Sequence, residues 1–104
     1  MDARYLEPLA WIDTQQQRMI RLVSEWANIN SGTENLDGLA RMSAEVGREL
    51  QSLGAEVSHL DLPPWRMIDA SGREIEQPLG QAVHARKRLD APVRVFLGIH
   101  MDTV

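Results

Sequence analysis

The sequence predicts an α/β fold, in which two N-terminal helices pack on a small, partly antiparallel sheet. Two long stretches before residue 54 carry apolar residues three and four positions apart, as one face of a helix does. Shorter stretches with strand-like patterns follow, and a glycine separates the second helix from the first of them. The last stretch, residues 93–99, is the most apolar run of the chain and is typical of a buried strand.

The first predicted helix covers residues 8–30. Pro8 suits the first helical position, because its missing N–H would have no partner there. Glu7 places a negative charge near the positive end of the helix dipole. The apolar stripe includes Leu9, Ile12, Met19, Val23 and Trp26, and three glutamines at 15–17 interrupt it. We expect this helix to pack on a sheet.

A Ser-Gly-Thr corner separates the two helices. Ser31 and Glu34 have the spacing of a capping box, although Thr33 or Asn35 could equally cap the next helix. That helix is predicted over residues 36–53, from an apolar face of Leu36, Leu39, Ser43, Val46, Leu50 and Leu53. Gly54 then stands where helices commonly end in a glycine.

Three strands and a hairpin are predicted in the second half. The strands cover residues 55–62, 81–88 and 93–99, and a small hairpin or a solvated loop surrounds residues 69–73. The connection at 89–92 is short, so the last two strands should be antiparallel neighbours. His59 is expected to be a partly exposed strand residue rather than a ligand. The basic run at 86–88 is either a solvated strand end or an anion site.

Composition restricts the classes of function. With 104 residues the chain forms one domain at most, and its net charge of −4 argues against nucleic acid as a partner. The absence of cysteine excludes disulfides and thiolate metal sites. No apolar run has the roughly 18–20 residues that span a bilayer, so no membrane partner is expected. The N-terminal residues lack the pattern of a signal peptide, which predicts a cytoplasmic location.

The terminal strand leads into the candidate site, because ligands of α/β proteins bind beyond the carboxyl ends of strands. His100 and Asp102 are two residues apart, so both can face one side of an extended segment. The carboxylate could orient the imidazole as a metal ligand, or it could bind a metal itself. The pair could also serve as base and orienting acid in a triad, but the sequence contains no serine in a nucleophile elbow.

The run Phe96-Leu97-Gly98-Ile99-His100-Met101-Asp102-Thr103-Val104 resembles a known signature. It is that of the zinc exopeptidases and deacylases related to acetylornithine deacetylase, succinyl-diaminopimelate desuccinylase and glutamate carboxypeptidase. The order of the preceding elements, from a long helix and a Ser-Gly-Thr corner to a strand after Ala-Pro, is also similar to the opening of that family.

The resemblance implies roles for two residues. His100 would be a ligand of one zinc in a two-zinc site, and Asp102 would be the catalytic-site carboxylate that orients it. A metal-bound water would attack an amide carbonyl, with a glutamate as general base. The substrates would be N-acyl amino acids or small peptides. Cobalt or manganese would suit the same ligands.

The other ligands and the dimerisation domain of that family follow the signature, so the resemblance implies that residues 1–104 are the N-terminal part of a metallohydrolase catalytic domain. We expect such a fragment to bind little or no zinc, to be inactive alone and to form a homo-oligomer through its uncovered surfaces. The alternative is a non-enzymatic α/β module that binds another chain or itself.

Overall fold

Helices occupy the first half of the computed structural model and short strands the second, and the structure describes residues 1–103. After a 3₁₀ turn at Ala3–Tyr5 come helices α1 (Leu6–Asp13), α2 (Gln16–Ala27) and α3 (Leu36–Ser52). Strands β1 (Glu56–Leu60), β2 (Trp65–Ile68), β3 (Glu74–Gln77) and β4 (Ala82–Arg86) follow. The predicted α/β class is confirmed.

The second predicted helix is confirmed as α3, one residue shorter than expected. Asn35 is its N-cap, and its side-chain oxygen accepts a hydrogen bond from the Gly38 N–H at 2.9 Å. This selects Asn35 from the three candidate caps. Gly54 has a φ of +76°, the left-handed backbone that a glycine adopts freely after a helix.

The single helix predicted over residues 8–30 is wrong, because the chain breaks between α1 and α2. Thr14 and Gln15 donate their backbone N–H groups to carbonyls three residues earlier, which tightens the end of α1. The Thr14 hydroxyl also donates to the Trp11 carbonyl at 2.6 Å, the local competition that interrupts helices at threonine. The break coincides with the polar stretch that divides the apolar stripe.

The strands form two antiparallel pairs. β1 pairs with β4 in a register that runs from Glu56 opposite Arg86 to Leu60 opposite Ala82. β2 pairs with β3 across the Asp69 turn, which confirms the predicted hairpin. Gly72 in that turn has a φ of +80°. Helix α3 contacts both β1 and β4, so it packs on this pair of strands.

The terminal strand predicted over residues 93–99 is not formed, and its predicted pairing with the preceding strand is wrong. β4 pairs with β1 instead, and the chain turns away after Arg88, which has a φ of +51°. The chain then carries no helix, turn or strand pairing from Arg94 to Asp102. An apolar run with strand propensity becomes a strand only where a neighbouring edge satisfies its backbone groups.

Little of the chain is buried. Among the described residues, Leu39 and Met42 of α3 are the only buried apolar side chains. The radius of gyration is 17.9 Å, whereas a compact domain of this length has a radius of about 13 Å. The accessible surface is 8817 Å², against about 5,900 Å² for a compact monomer of this mass. Apolar side chains that would form a core therefore remain exposed.

Within residues 1–103, none of the helices is both long enough and apolar enough to cross a membrane.

Candidate functional site

The Ser-Gly-Thr corner is held against the start of α3. The Asn30 side-chain oxygen accepts from the Gly32 N–H at 3.1 Å, which closes the first turn of the corner. A methyl group at Gly38 would lie 1.6 Å from the backbone oxygen of Asn30. Only a glycine at this position of α3 lets the corner approach so closely.

The corner contacts the end of the signature, 70 residues later in the chain. The Thr103 N–H donates to the Ser31 carbonyl at 2.9 Å, and the Thr33 N–H donates to the Thr103 carbonyl at 3.2 Å. These bonds form a parallel bridge between Gly32 and Thr103. Ser31 is only 1% exposed, whereas Thr103 on the other side of the junction is exposed.

Thr33 also fixes the Asp102 carboxylate. Its hydroxyl donates to Asp102 Oδ2 at 2.8 Å. This hydrogen bond is the main reason that the pKa of Asp102 lies below its usual value of 3.8, against the opposing effect of desolvation. The neighbouring His100 lowers the pKa further by a smaller amount. Asp102 is therefore a carboxylate at neutral pH.

His100 is oriented by the backbone and side chain of Asp102. Its Nδ1 lies 2.8 Å from the Asp102 carbonyl oxygen and 3.3 Å from Asp102 Oδ1. A carbonyl oxygen can only accept, so Nδ1 must carry the proton of this hydrogen bond. In the neutral ring Nε2 then has a free lone pair, which is the tautomer that binds a metal through Nε2.

The pair lies beside an open pocket of about 260 Å³. Leu39 of α3 and the stretch from Leu79 to Ala82 supply part of its lining, and Thr33, His100 and Asp102 also line it. Gly80 allows close packing here, since a methyl group on it would lie 3.1 Å from the Leu39 side chain. The pocket is therefore lined both by apolar side chains and by the polar pair His100 and Asp102.

The structure thus brings the two predicted site residues together and leaves the other histidines elsewhere. His59 of β1 is exposed, as predicted, and its Nε2 would lie 3.4 Å from a methyl group at Gly47 of α3. His84 lies beside the basic run 86–88 in a separate cavity. Val104, the last residue of the signature, lies outside the described residues.

Sequence reasoning missed the contribution of Thr33. The sequence predicts the corner as a turn between helices, but a separation of 69 residues between Thr33 and Asp102 carries no periodic signal. The two segments meet through tertiary contacts, and the close approach of Gly38 to Asn30 fixes where the corner lies on α3.

A metal fits this site only in part. His100 Nε2 offers one nitrogen ligand, and the part of the chain from residue 1 to 103 contains no group of three histidine or carboxylate side chains placed to hold an ion. Zinc sites take about four ligands, with three from protein even where catalysis keeps one position open. These residues alone therefore do not make a catalytic metal centre.

Comparison of the chain with protein-family models, with curated proteins and with solved structures gave no match.

Proposed function

We propose that this chain supplies one metal ligand, His100, and its orienting carboxylate, Asp102, to the catalytic centre of a metal-dependent amidohydrolase or peptidase. The observation that carries the proposal is the hydrogen bond from His100 Nδ1 to the Asp102 carbonyl at 2.8 Å. It fixes the ring with Nε2 free beside a pocket. The resemblance of residues 100–104 to the zinc exopeptidase signature indicates the class of reaction.

The arrangement of His100 matches what metal-binding imidazoles need from their surroundings. Such rings generally donate their second N–H to a carboxylate or a carbonyl, which fixes the tautomer and makes the ring a stronger ligand. Asp102 offers both acceptors within 3.3 Å of Nδ1. Thr33 in turn holds the carboxylate, so that its charge does not depend on the metal.

The remaining ligands must come from outside the described residues, since these supply only one nitrogen with its carboxylate. In the proposal they belong to a further part of the same catalytic domain. Zinc is the expected metal, and cobalt and manganese are suited to the same donors. The substrates would be N-acyl amino acids or small peptides, and the apolar pocket wall would contact part of them.

Residues 1–104 alone should therefore bind zinc weakly and show no amidase activity. Zinc titration of the ¹⁵N-labelled chain, followed through the imidazole nitrogens, tests the ligand assignment. The Nε2 resonance of His100 should shift first, and His100→Ala should abolish that binding. His84→Ala is the matched control and should leave it unchanged.

Zinc binding that survives His100→Ala, or that needs His84, would contradict the assignment. The origin of the missing ligands is tested separately by reading the gene past codon 104. The proposal expects an acidic, glycine-containing segment there, and a stop codon directly after Val104 would count against it.

A cytoplasmic location is part of the same proposal. Fractionation of cells that express the chain with a small tag tests it, and recovery from a secreted or membrane fraction would contradict it.

A further inference from the structure

The apolar part of the pocket of about 260 Å³ is held in place by contacts within the chain. Leu62 follows β1 and Leu79 precedes β4, and the pairing of these two strands brings both stretches to the pocket. The side-chain amide of Gln81 donates to the Asp61 carboxylate at 2.7 Å, which joins the stretches again beyond the paired strands. Leu39, which is 8% exposed, adds a buried side chain from α3. This lining is therefore built from the packed part of the molecule.

The polar part of the pocket is held as well. The Thr33 hydroxyl donates to Asp102 at 2.8 Å, and the backbone bridge at Thr103 fixes the following residue. His100 lines the pocket together with Asp102. A group bound in the pocket therefore lies beside the proposed metal ligand, which is where the proposed function places the scissile amide.

The charges of the lining select against an acidic group. Among the described residues that line the pocket there is no lysine or arginine, whereas Asp102 is a carboxylate at neutral pH. A second carboxylate in the pocket would be repelled by Asp102 and would find neither of these cations to pair with. Its burial against Leu62, Leu79 and Met101 would also cost far more than the burial of a methyl group. The pocket therefore suits a neutral apolar group.

The size of the pocket limits how large that group can be. A water molecule takes about 30 Å³ in the liquid, so about 260 Å³ holds roughly eight non-hydrogen atoms. An aliphatic group of about four to six carbons fills most of this space and leaves room for part of an amide. Each methylene group that leaves water for such a pocket contributes favourably to binding.

We propose that this pocket selects substrates in which a neutral aliphatic group of about four to six carbons flanks the scissile amide. The reaction itself rests on the proposed function, whereas the preference for a neutral aliphatic group is a property of residues 1–103. An acyl chain and an aliphatic amino-acid side chain share this chemistry. Substrates with an acidic group at this position are excluded.

Binding of two matched amides to the metal-free chain tests the preference. Hexanamide carries a neutral five-carbon tail, and adipamate is a similar amide that ends in a carboxylate. Each is titrated into the ¹³C-methyl-labelled chain, with the methyl signals of Leu39 and Met101 as reporters of the pocket. Hexanamide should shift both signals and should bind at least about 10-fold more tightly than adipamate, because the carboxylate would be buried without a partner.

A new positive charge in the pocket should reverse the preference. Leu62 is 43% exposed and lies outside the helices and strands, so Leu62→Lys should keep the fold. In this variant adipamate should bind at least as tightly as hexanamide, because its carboxylate gains an ammonium partner. Leu60→Lys is the matched control, since Leu60 is 48% exposed and does not line the pocket. It should leave the preference unchanged, and circular dichroism checks that both variants fold.

Two further neutral amides distinguish the possible sources of the aliphatic group. N-hexanoylglycinamide carries it on the acyl side of an amide, and N-acetylleucinamide carries it as an amino-acid side chain. The compound that shifts the Leu39 and Met101 signals at the lower concentration identifies the side of the scissile bond. Binding of either one supports the neutral aliphatic class.

The proposal is overturned if hexanamide does not shift these methyl signals, or if adipamate binds the natural chain equally well. It is also overturned if Leu62→Lys and Leu60→Lys change the preference alike. These outcomes are separate from a failure of the proposed function. Zinc that binds without His100 would refute that function and leave the amide preference standing, whereas zinc at His100 with no hexanamide in the pocket would refute only the substrate class.

Discussion

Helix α3 and the segment of residues 93–99 contain similar apolar residues but have opposite surroundings. Leu39 of α3 is 8% exposed and packs on Gly80, whereas Leu97 is 86% exposed. The helix satisfies its own backbone hydrogen bonds, so it forms wherever one face can be covered. A strand needs a second chain segment for the same purpose. The apolar pattern of α3 was therefore enough to predict its helix, whereas the apolar pattern of residues 93–99 was not enough to predict a strand.

The largest expected difference between the two regions is the effect of deleting a leucine. Leu39→Ala should lower the free energy of unfolding by about 2–3 kcal/mol, since it removes buried methyl groups and leaves a cavity. Leu97→Ala should change it by less than about 0.5 kcal/mol, as expected for an exposed side chain. Urea unfolding of both variants at low protein concentration, where association is negligible, measures the contrast. Equal losses would mean that residues 93–99 pack against the chain.

Two glycines of α3 test how closely the packed helix approaches its neighbours. Gly38→Ala should destabilise the protein by about 1–3 kcal/mol, since the methyl group would overlap the Asn30 carbonyl and displace the corner. Gly47→Ala meets only ordinary contacts with His59 and Val57, so it should stabilise by about 0.5–1 kcal/mol through helix propensity. Thermal unfolding followed by circular dichroism compares them. A neutral Gly38→Ala would refute the close approach of corner and helix.

The smallest effect concerns the contact between the corner and the signature. Thr33→Val removes the hydroxyl that lowers the pKa of Asp102, so that pKa should rise toward 3.8. Because the pKa is lowered in the folded chain, the contact stabilises the fold above pH 3.8 and is lost as the pH falls through the lowered pKa. Carboxyl ¹³C titration measures the shift.

Asp69 is the internal reference for that titration. Its pKa is lowered by the Arg73 backbone N–H and the Ser71 hydroxyl, without a contribution from Thr33, and should not change. A change at both carboxyls would indicate general unfolding rather than loss of one hydrogen bond.

The predictions from sequence succeeded where the information was local. The bounds of α3, its glycine at 54 and the hairpin around Asp69 follow from periodicity and turn chemistry. The break between α1 and α2 involves short-range hydrogen bonds of Thr14 and Gln15 that apolar spacing does not reveal, and the partner of β4 depended on tertiary contacts. Neither could be derived from spacing.

In the candidate site, too, a local feature could be predicted from the sequence and the long-range contacts could not. The placement of His100 and Asp102 on one side of the chain followed from their separation by two residues, and the structure brings them within 3.3 Å. The anchoring of Asp102 by Thr33 and the backbone bridge at Thr103 join segments 70 residues apart. They could be found only once the corner had been placed against α3.

The tautomer of His100 tests the central claim most directly. At a pH where the ring is neutral, long-range ¹H–¹⁵N correlation spectra distinguish a protonated ring nitrogen from one with a free lone pair. The hydrogen bond to the Asp102 carbonyl predicts that Nδ1 is protonated and Nε2 is free, and that His84 need not share this preference. A His100 ring protonated at Nε2 would contradict the account, because the nitrogen proposed to bind the metal would then carry a proton.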